Sequence, residues 1–239
     1  MNDRIAILMP AYNEQERLTS TLTSLRDEAT RHADVIVFLV DDGSEPKIDA
    51  ELLPPPSAHF RIVLAHHATN LGQGAALETA RQLALRESNV VAYVTMDADG
   101  QHSASDALAL ARAVRDGADV AFGNRFRGHS DVPFARALIL RAAILFEFAI
   151  TGLRLADAHN GLRAFGRGAL ERMPLRQSRM AHATEIKQRV SRDRALLVTE
   201  VPVSLRYTAE SIAKGQGSLG AVAILHDLAV QYLFGESET

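Results

Sequence analysis

The sequence predicts an α/β protein built on one mainly parallel sheet, and three observations support this fold class. Short apolar runs alternate with segments of helical periodicity through the first half of the chain. The links between them are short, which is typical of strand–helix–strand units with right-handed crossovers. With 239 residues, the chain is long enough for one large domain with a substantial core. We therefore expect a doubly wound, three-layer sandwich with helices on both faces of the sheet.

Composition and charge exclude several classes of protein. A net charge of -3 and a pI near 6.3 argue against a general nucleic-acid binder. Because there is no cysteine, neither a disulfide framework nor a thiolate metal site is expected, and a reducing, cytoplasmic setting is the simplest interpretation. We expect no signal peptide and no membrane-spanning helix, since the most apolar region, 134–155, is interrupted by four charged side chains.

Apolar runs predict five strands in the first half, at 5–9, 35–40, 61–65, 90–96 and 119–123. Three predicted helices lie between them. The first has an apolar face at Leu18, Leu22, Leu25 and Ala29, the second opens within 70–74, and the third is capped by Ser105 or Asp106 and runs to about Arg115.

The second half of the chain has a different pattern. We expect an amphipathic helix over 134–155, a polar turn over 157–163, a late strand over 196–203, a polar segment over 206–218 and a final helix over 218–234. The two amphipathic helices could cover the sheet, form a homodimer, or lie on a membrane surface or a membrane-protein partner.

The run Val90–Met96 is the centre of the predicted site. Four of its seven residues are β-branched, and it stops abruptly at Asp97-Ala98-Asp99. Two carboxylates at the mouth of a buried strand are suited to bind a divalent cation together with a diphosphate. Two other strand ends are equally polar, at 12–14 and 41–42, and all three should meet at the carboxyl edge of the sheet, where ligands bind in open α/β proteins.

Five motifs, in this order, resemble those of family 2 glycosyltransferases, a family with the GT-A fold. They are PAYNE at 10–14, VDDGS at 40–44, NLGQGAA at 70–76, DADGQH at 97–102 and GNR at 123–125. The continuation at 160–165 and 200–203 is similar to the dolichyl- or polyprenyl-phosphate sugar synthase branch. The resemblance implies one GT-A domain over 1–239, with a nucleotide-sugar-binding half at 1–124, an acceptor-binding half at 125–218 and a C-terminal helix at 219–239.

The resemblance also implies roles for individual residues. The donor would be a UDP- or GDP-sugar, and transfer would invert the anomeric carbon. The nucleotide-sugar site would comprise Pro10, Ala11, Tyr12, Glu14, Asp41, Asp42, Gly72, Asp97, Ala98, Arg206 and Lys214. The metal, Mg²⁺ or Mn²⁺, would be held by Asp99 and Gln101. The catalytic set would be Asp97, Asp99, Arg125 and Arg136, with the two arginines facing a polyprenyl-phosphate acceptor.

The chemistry of these residues agrees with those roles. A divalent cation neutralises the charge that grows on a leaving diphosphate, and arginine binds phosphate in bidentate fashion. A phosphate acceptor is already an anion and needs no strong base, whereas a hydroxyl acceptor needs one, for which His102, Asp157 and His159 are the candidates. We therefore predict a metal-dependent, inverting transferase of cell-envelope glycan synthesis, cytoplasmic or peripheral on the inner face of the membrane.

Other interpretations of the same residues stay open. The glycines of 70–74 could serve only to start a helix, Arg136 could be solvated, and Asp157 with Arg163 could form a structural ion pair. Position 124 is Asn where the branch usually has Ser. The alternative functions are transfer to a hydroxyl acceptor and non-catalytic binding of a nucleotide sugar. A nicotinamide-dependent Rossmann enzyme is excluded because the first predicted turn has no glycine.

Overall fold

A computed structural model of the chain describes residues 4–126, 148–149, 151–157, 160–179 and 181–204. The strands are β1 (Arg4–Ala11), β2 (Asp34–Asp41), β3 (Phe60–His66), β4 (Val90–Thr95), β5 (Val120–Asn124), β6 (Arg163–Phe165) and β7 (Val198–Pro202). The helices are α1 (Gln15–His32), α2 (Gln73–Leu85), α3 (Ala104–Arg115), α4 (Arg167–Glu171) and α5 (His182–Arg192), with a 3₁₀ turn at Ala50–Leu52.

The strands form one sheet in the order β3-β2-β1-β4-β6-β5-β7. All neighbouring pairs are parallel except those made by β6, which runs antiparallel to both β4 and β5. Strand β6 was not predicted from the sequence, in which Arg163 was expected at the end of a polar turn. Three residues are too few to show a period, and the strand exists because Arg163 pairs with Thr95 on one side and Phe122 on the other.

Helices cover both faces of the sheet, as the sequence predicts. Leu22 of α1 and Leu108 of α3 pack with Ile7 and Val37 on one face. On the other face, Leu77 of α2 and Ile186 of α5 belong to a second cluster. Because β1 and β2 are buried on both faces, they are continuous apolar runs rather than alternating ones.

Two helix ends differ from the predictions. Ser103 caps α3, because its hydroxyl accepts a hydrogen bond from the Asp106 amide at 3.0 Å, so the cap expected at Ser105 or Asp106 was wrong. The helix expected over 134–155 does not reach its predicted end. Gly152 adopts a φ of +70° and donates its N–H to the Phe148 carbonyl at 2.8 Å, and residues 152–155 are not helical.

Several predicted residues lie outside the described part of the chain. They are Arg136, His159, Arg206, Lys214 and the final helix at 218–234. Among the residues that are described, no helix has the length and apolar character needed to cross a membrane.

Candidate active site

The polar ends of β1, β2 and β4 meet at one edge of the sheet. These three strands are neighbours and run parallel, with Ala11 opposite Asp41 and Leu8 opposite Thr95. The residues after them, from Tyr12, Asp42 and Met96 onward, therefore emerge at the same carboxyl edge. This is the arrangement that the sequence predicts for the candidate site.

The Asp41 side chain is hydrogen-bonded to other parts of the protein. Its carboxylate is fully buried and accepts hydrogen bonds from the amides of Ser44 at 2.9 Å and Ile48 at 3.0 Å. Burial alone would raise the pKa of Asp41, but the hydrogen bonds from Ser44, Ile48 and His66 together hold the pKa below its usual value. The side chain thus shapes the segment that follows β2.

Asp42 holds the glycine-rich turn before α2. Its two carboxylate oxygens accept the amides of Leu71 at 3.0 Å and Gly72 at 2.8 Å. The His67 ring nitrogen Nδ1 lies 2.7 Å from the same carboxylate, and His67 Nε2 lies 3.0 Å from the Thr79 hydroxyl. Asp42 therefore connects β2, the end of β3 and α2.

Sequence reasoning missed His67 and its neighbour His66. The Nδ1 atom of His66 lies 3.0 Å from the Asp41 carboxylate, so two consecutive histidines at the end of β3 pair with two consecutive aspartates at the end of β2. These histidines could have been identified from the sequence, because β2 and β3 were both predicted as parallel strands whose carboxyl ends share an edge.

The two glycines at the start of α2, Gly72 and Gly74, have a structural explanation. A Cβ atom at Gly72 would lie 2.5 Å from the Ser178 carbonyl oxygen, and one at Gly74 would lie 2.0 Å from the Gln177 carbonyl oxygen. Gly72 also has a φ of +102°. The Ser178 carbonyl accepts the amides of Gly74 at 2.6 Å and Ala75 at 3.1 Å, which satisfies the first turn of α2. A role for Gly72 in nucleotide-sugar binding stays a prediction.

Asp97 is held between two elements that are distant in sequence. The Gln73 side-chain amide donates to Asp97 Oδ1 at 2.8 Å. On the other side, a Cβ atom at Gly161 would lie 2.5 Å from Asp97 Oδ2. The Thr95 hydroxyl donates to the Gly161 carbonyl at 2.8 Å, which anchors the turn before β6 against β4. Gln73 and Gly161 lie in the motifs at 70–76 and 160–165, but no individual role was predicted for either residue.

The Asp97–Asp99 pair is electrostatically unfavourable in the free protein. Burial raises the pKa of Asp97, against the charge of Arg163 and the hydrogen bond from Gln73. Burial also raises the pKa of Asp99, and the Asp97 charge raises it further, although the Gln101 amide donates to Asp99 at 3.0 Å. Each carboxylate would gain from a nearby cation.

These residues fit a divalent metal ion. Mg²⁺ usually takes one or two protein carboxylates and completes its shell with water and substrate phosphate. Asp99 is half-buried and carries a raised pKa, and Gln101 beside it offers an amide oxygen. In the described ranges, no group of three or more acidic, histidine or cysteine side chains is arranged to bind a metal ion. Asp99 and Gln101 could therefore supply only part of a coordination shell, which water and substrate phosphate would complete.

Arg125 follows β5 and is fixed by Asp157. Its Nε atom donates to Asp157 Oδ2 at 2.6 Å and its backbone N–H donates to the same oxygen at 3.0 Å. Both side chains are more than nine-tenths buried. Asn160 adds its side-chain amide at 3.5 Å and accepts the Leu162 amide at 2.9 Å, which forms the turn into β6. The arginine expected to face the acceptor is therefore rigidly positioned.

His102 and Asn124 each carry a buried polar atom without a hydrogen-bond partner in the described part of the chain. These atoms are His102 Nδ1 and Asn124 Nδ2. Burial lowers the pKa of His102 to about 4, although the charge of Asp99 opposes this, so the imidazole is neutral at neutral pH. The Asn124 side chain accepts the Phe126 amide at 2.9 Å, which gives Asn at this position a local role.

The predicted nucleoside-binding residues lie where β1 ends. Pro10 and Ala11 are buried within the strand, whereas Tyr12 leaves 48% of its surface exposed. The backbone turns at Asn13, whose φ is +55° and whose amide donates to the Ser44 hydroxyl at 2.9 Å. Glu14 precedes α1 and its carbonyl accepts the Leu18 amide at 2.9 Å. The exposed Tyr12 ring is available for stacking on a planar base.

Comparison with known proteins shows the family of this chain. Residues 6–173 match the model of glycosyl transferase family 2. The UDP-N-acetylglucosamine–dolichyl-phosphate N-acetylglucosaminyltransferase of Methanococcus voltae is 26% identical over 94% of this chain and 94% of its own length. The undecaprenyl-phosphate mannosyltransferase of Micrococcus luteus is 35% identical over 72% of this chain and 70% of its own.

A solved structure shares the fold. Glucosyl-3-phosphoglycerate synthase from Mycobacterium tuberculosis, crystallised with Mn²⁺ and UDP-glucose, superposes with a TM-score of 0.60 at 16% identity, over 98% of this chain and 80% of that one. The likeness confirms the GT-A architecture predicted from the sequence. With the match to the family model, it identifies the chain as a glycosyltransferase that belongs to glycosyl transferase family 2.

Proposed function

We propose that this enzyme transfers a sugar from a UDP- or GDP-sugar to a polyprenyl phosphate, with inversion and with Mg²⁺ or Mn²⁺ bound, in cell-envelope glycan synthesis. Two relatives are named for transfer to dolichyl phosphate and undecaprenyl phosphate. The proposed donor class follows from the carboxylate pair at the end of β4 and the exposed Tyr12 at the end of β1.

The observation that best supports the proposed acceptor is the hydrogen bonding of the Asp157 carboxylate. A hydroxyl acceptor needs a general base, and Asp157 was one candidate for it. Its Oδ2 atom accepts two hydrogen bonds from Arg125 and one from Asn160, so this carboxylate is already occupied as an ion-pair partner. His102 is the other candidate within the described ranges, but it is buried and its pKa of about 4 makes it a weak base. A phosphate acceptor brings its own negative charge and avoids this requirement.

The chain's own groups would then act mainly by positioning and by charge. Asp99 and Gln101 would hold the metal ion, which supplies charge neutralisation to the departing diphosphate. Asp97, fixed by Gln73, would face the ribose or the donor sugar. Arg125 would orient the acceptor phosphate, and its fixed guanidinium would lose little freedom on binding.

The remaining assigned residues complete the proposal. Asp41 and Asp42 would shape the base pocket, with Pro10, Ala11, Tyr12, Glu14, Gly72 and Ala98 around the nucleotide. Arg136 would join Arg125 on the acceptor, while Arg206 and Lys214 would close over the diphosphate.

The test is a transfer assay with purified protein, Mn²⁺ and a panel of UDP- and GDP-sugars. Undecaprenyl phosphate should accept the sugar, and undecaprenol, which lacks the phosphate, should not. Transfer to the alcohol alone would contradict the proposed acceptor and favour a hydroxyl-directed enzyme.

The metal site has its own test. Asp99→Asn should abolish transfer and Mn²⁺-dependent nucleotide binding while the melting curve keeps its shape. Asp116→Asn is the matched control, because this exposed carboxylate lies at the far end of α3. Undiminished Mn²⁺-dependent turnover in Asp99→Asn would disprove the assignment.

A further inference from the structure

Positive charge is concentrated in one part of the chain. Residues 163–194 contain nine Arg and Lys against three Asp and Glu, whereas the other 207 residues contain 17 against 26. A protein with a net charge of -3 therefore carries a strongly basic region. Clustering of this kind points to an anionic partner rather than to general solubility.

Six of the nine basic residues lie on adjacent surface segments, whereas Arg163 and Lys187 are buried and Arg167 pairs with Glu171 at 2.9 Å. The segment 172–179 runs beside α2, since the Leu175 amide donates to Glu78 at 2.9 Å. Helix α5 lies along that segment, because Arg172 and Asp193 pair at 3.1 Å and the Arg176 amide donates to Glu185 at 2.9 Å. We call this surface the arginine face, and it consists of Arg172, Arg176, Arg179, Arg189, Arg192 and Arg194.

Most of the charge on the arginine face is uncompensated. Arg189 pairs with Glu185 at 2.9 Å and Arg172 pairs with Asp193. The other four arginines are exposed, and none of them forms an ion pair with any residue in the described ranges. By contrast, Ile186 and Val190 of α5 are buried in the core. The guanidinium groups therefore face solvent on the outer side of this layer.

The arginine face reaches the candidate active site. Its end at Arg179 is in contact with the turn before α2, since the Arg179 Cγ atom lies 3.0 Å from the position of a Cβ on Gly72. The Ser178 carbonyl also accepts the amide of Gly74. A partner bound along this face would thus border the donor-binding edge of the sheet.

We propose that the arginine face docks the enzyme on the anionic headgroups of a lipid bilayer. This inference rests on the proposed function, because a polyprenyl-phosphate acceptor lies in a membrane. Guanidinium groups bind phosphate oxygens in bidentate fashion, and clusters of four to eight basic side chains are sufficient to bind anionic lipid surfaces. A nucleic acid fits less well, since Phe165 is the only aromatic residue in 163–194 and it is buried.

The test compares vesicle binding by two quadruple variants. In the first, Arg176, Arg179, Arg192 and Arg194 are all replaced by Gln. The matched control has the same change of charge on the helices of the opposite face of the sheet, at Arg26, Arg31, Arg112 and Arg115. Both proteins and the wild type are floated with vesicles of phosphatidylcholine alone or mixed with phosphatidylglycerol.

The wild type and the control should bind only the mixed vesicles, and binding should fall in about 1 M salt, where the Debye length is about 3 Å. Each arginine near the surface should contribute roughly five-fold to the partition coefficient, so the arginine-face variant should bind at least about a hundred-fold more weakly. Equal binding by that variant, equal binding to the two vesicle types, or binding to an RNA duplex but not to vesicles would overturn the proposal.

Failure of the proposed function gives a different result. Transfer is measured in parallel to a short-chain, water-soluble prenyl phosphate, for which docking is unnecessary. The arginine-face variant should retain that transfer but lose transfer to vesicle-embedded undecaprenyl phosphate. If the wild type transferred to neither acceptor, the proposed function would fail while the vesicle-binding result still decided the docking surface.

Discussion

Gly161→Ala tests whether a glycine is needed in the turn before β6 because the Asp97 carboxylate lies against it. The backbone of Gly161 does not adopt a positive φ, so alanine is compatible with its conformation. The added Cβ would, however, lie 2.5 Å from Asp97 Oδ2. We therefore expect the substitution to be unfavourable only because of the Asp97 side chain.

The magnitude follows from the size of the overlap. Ordinary contacts of a Cβ atom begin at 3.4 Å, so the distance is short by about 0.9 Å. Overpacking of this kind costs about 1–3 kcal/mol. Replacing Gly by Ala at a compatible position contributes about 0.4–1 kcal/mol in the opposite sense, through the entropy of the unfolded chain. The free energy of unfolding should thus fall in the wild-type background and rise slightly in Asp97→Ala.

The assay is a double-mutant cycle on the free energy of unfolding in urea. The coupling between Gly161→Ala and Asp97→Ala should be about 1–3 kcal/mol, and each kcal/mol should move the melting temperature by about 2–4 °C. Asp97→Asn keeps the shape of the side chain and should keep the coupling, which separates steric conflict from charge. If Gly161→Ala were equally destabilising in Asp97→Ala, the turn would be required for another reason and our argument would be refuted.

Two further predictions concern the hydrogen bond of Gln73 and the burial of His182. Gln73→Leu removes the hydrogen bond to Asp97 and should lower turnover by roughly ten- to a hundred-fold. Gln82→Leu, on the exposed side of the same helix, should leave turnover unchanged. Equal activity of the two variants would show that Gln73 is not part of the active site. Burial lowers the pKa of His182 from 6.5 to about 4. The unfolded chain therefore binds a proton on His182 more tightly than the folded protein does. The free energy of unfolding should fall as the pH falls from about 6.5 toward 4, by at most about 3 kcal/mol. Urea unfolding at several pH values should show this slope, and His182→Asn should reduce it.

The long elements could be predicted because each carries its own signal. Strands β1 and β2 are buried on both faces and appear as unbroken apolar runs, and α1 shows its inward face at Leu18, Leu22 and Leu25. Strand β6 has no such signal, since its three residues form a strand only through partners on both sides. Its antiparallel direction, which changes the topology of the sheet, is a tertiary property.

The candidate site divides in the same way. Strand-end residues such as Asp42 and Asp97 could be placed at one edge, because the predicted parallel order brings those ends together. Their contacts with Gly72 and Gln73 could not be predicted, since these depend on how α2 packs against the sheet. The pairing of Arg125 with Asp157 likewise joins residues that the sequence separates by 32 positions.

The number of hydrogen bonds that each carboxylate accepts from the protein distinguishes structural acids from those available to a ligand. Asp41, Asp42 and Asp157 each accept two or more hydrogen bonds from protein donors. In the described structure Asp97 accepts only the Gln73 amide and Asp99 only the Gln101 amide, and burial raises the pKa of both. A half-buried carboxylate with so few donors is costly to keep ionised. A cation bound between the enzyme and a diphosphate would remove that cost, which explains why the protein leaves this pair, and not the other three acids, under-compensated.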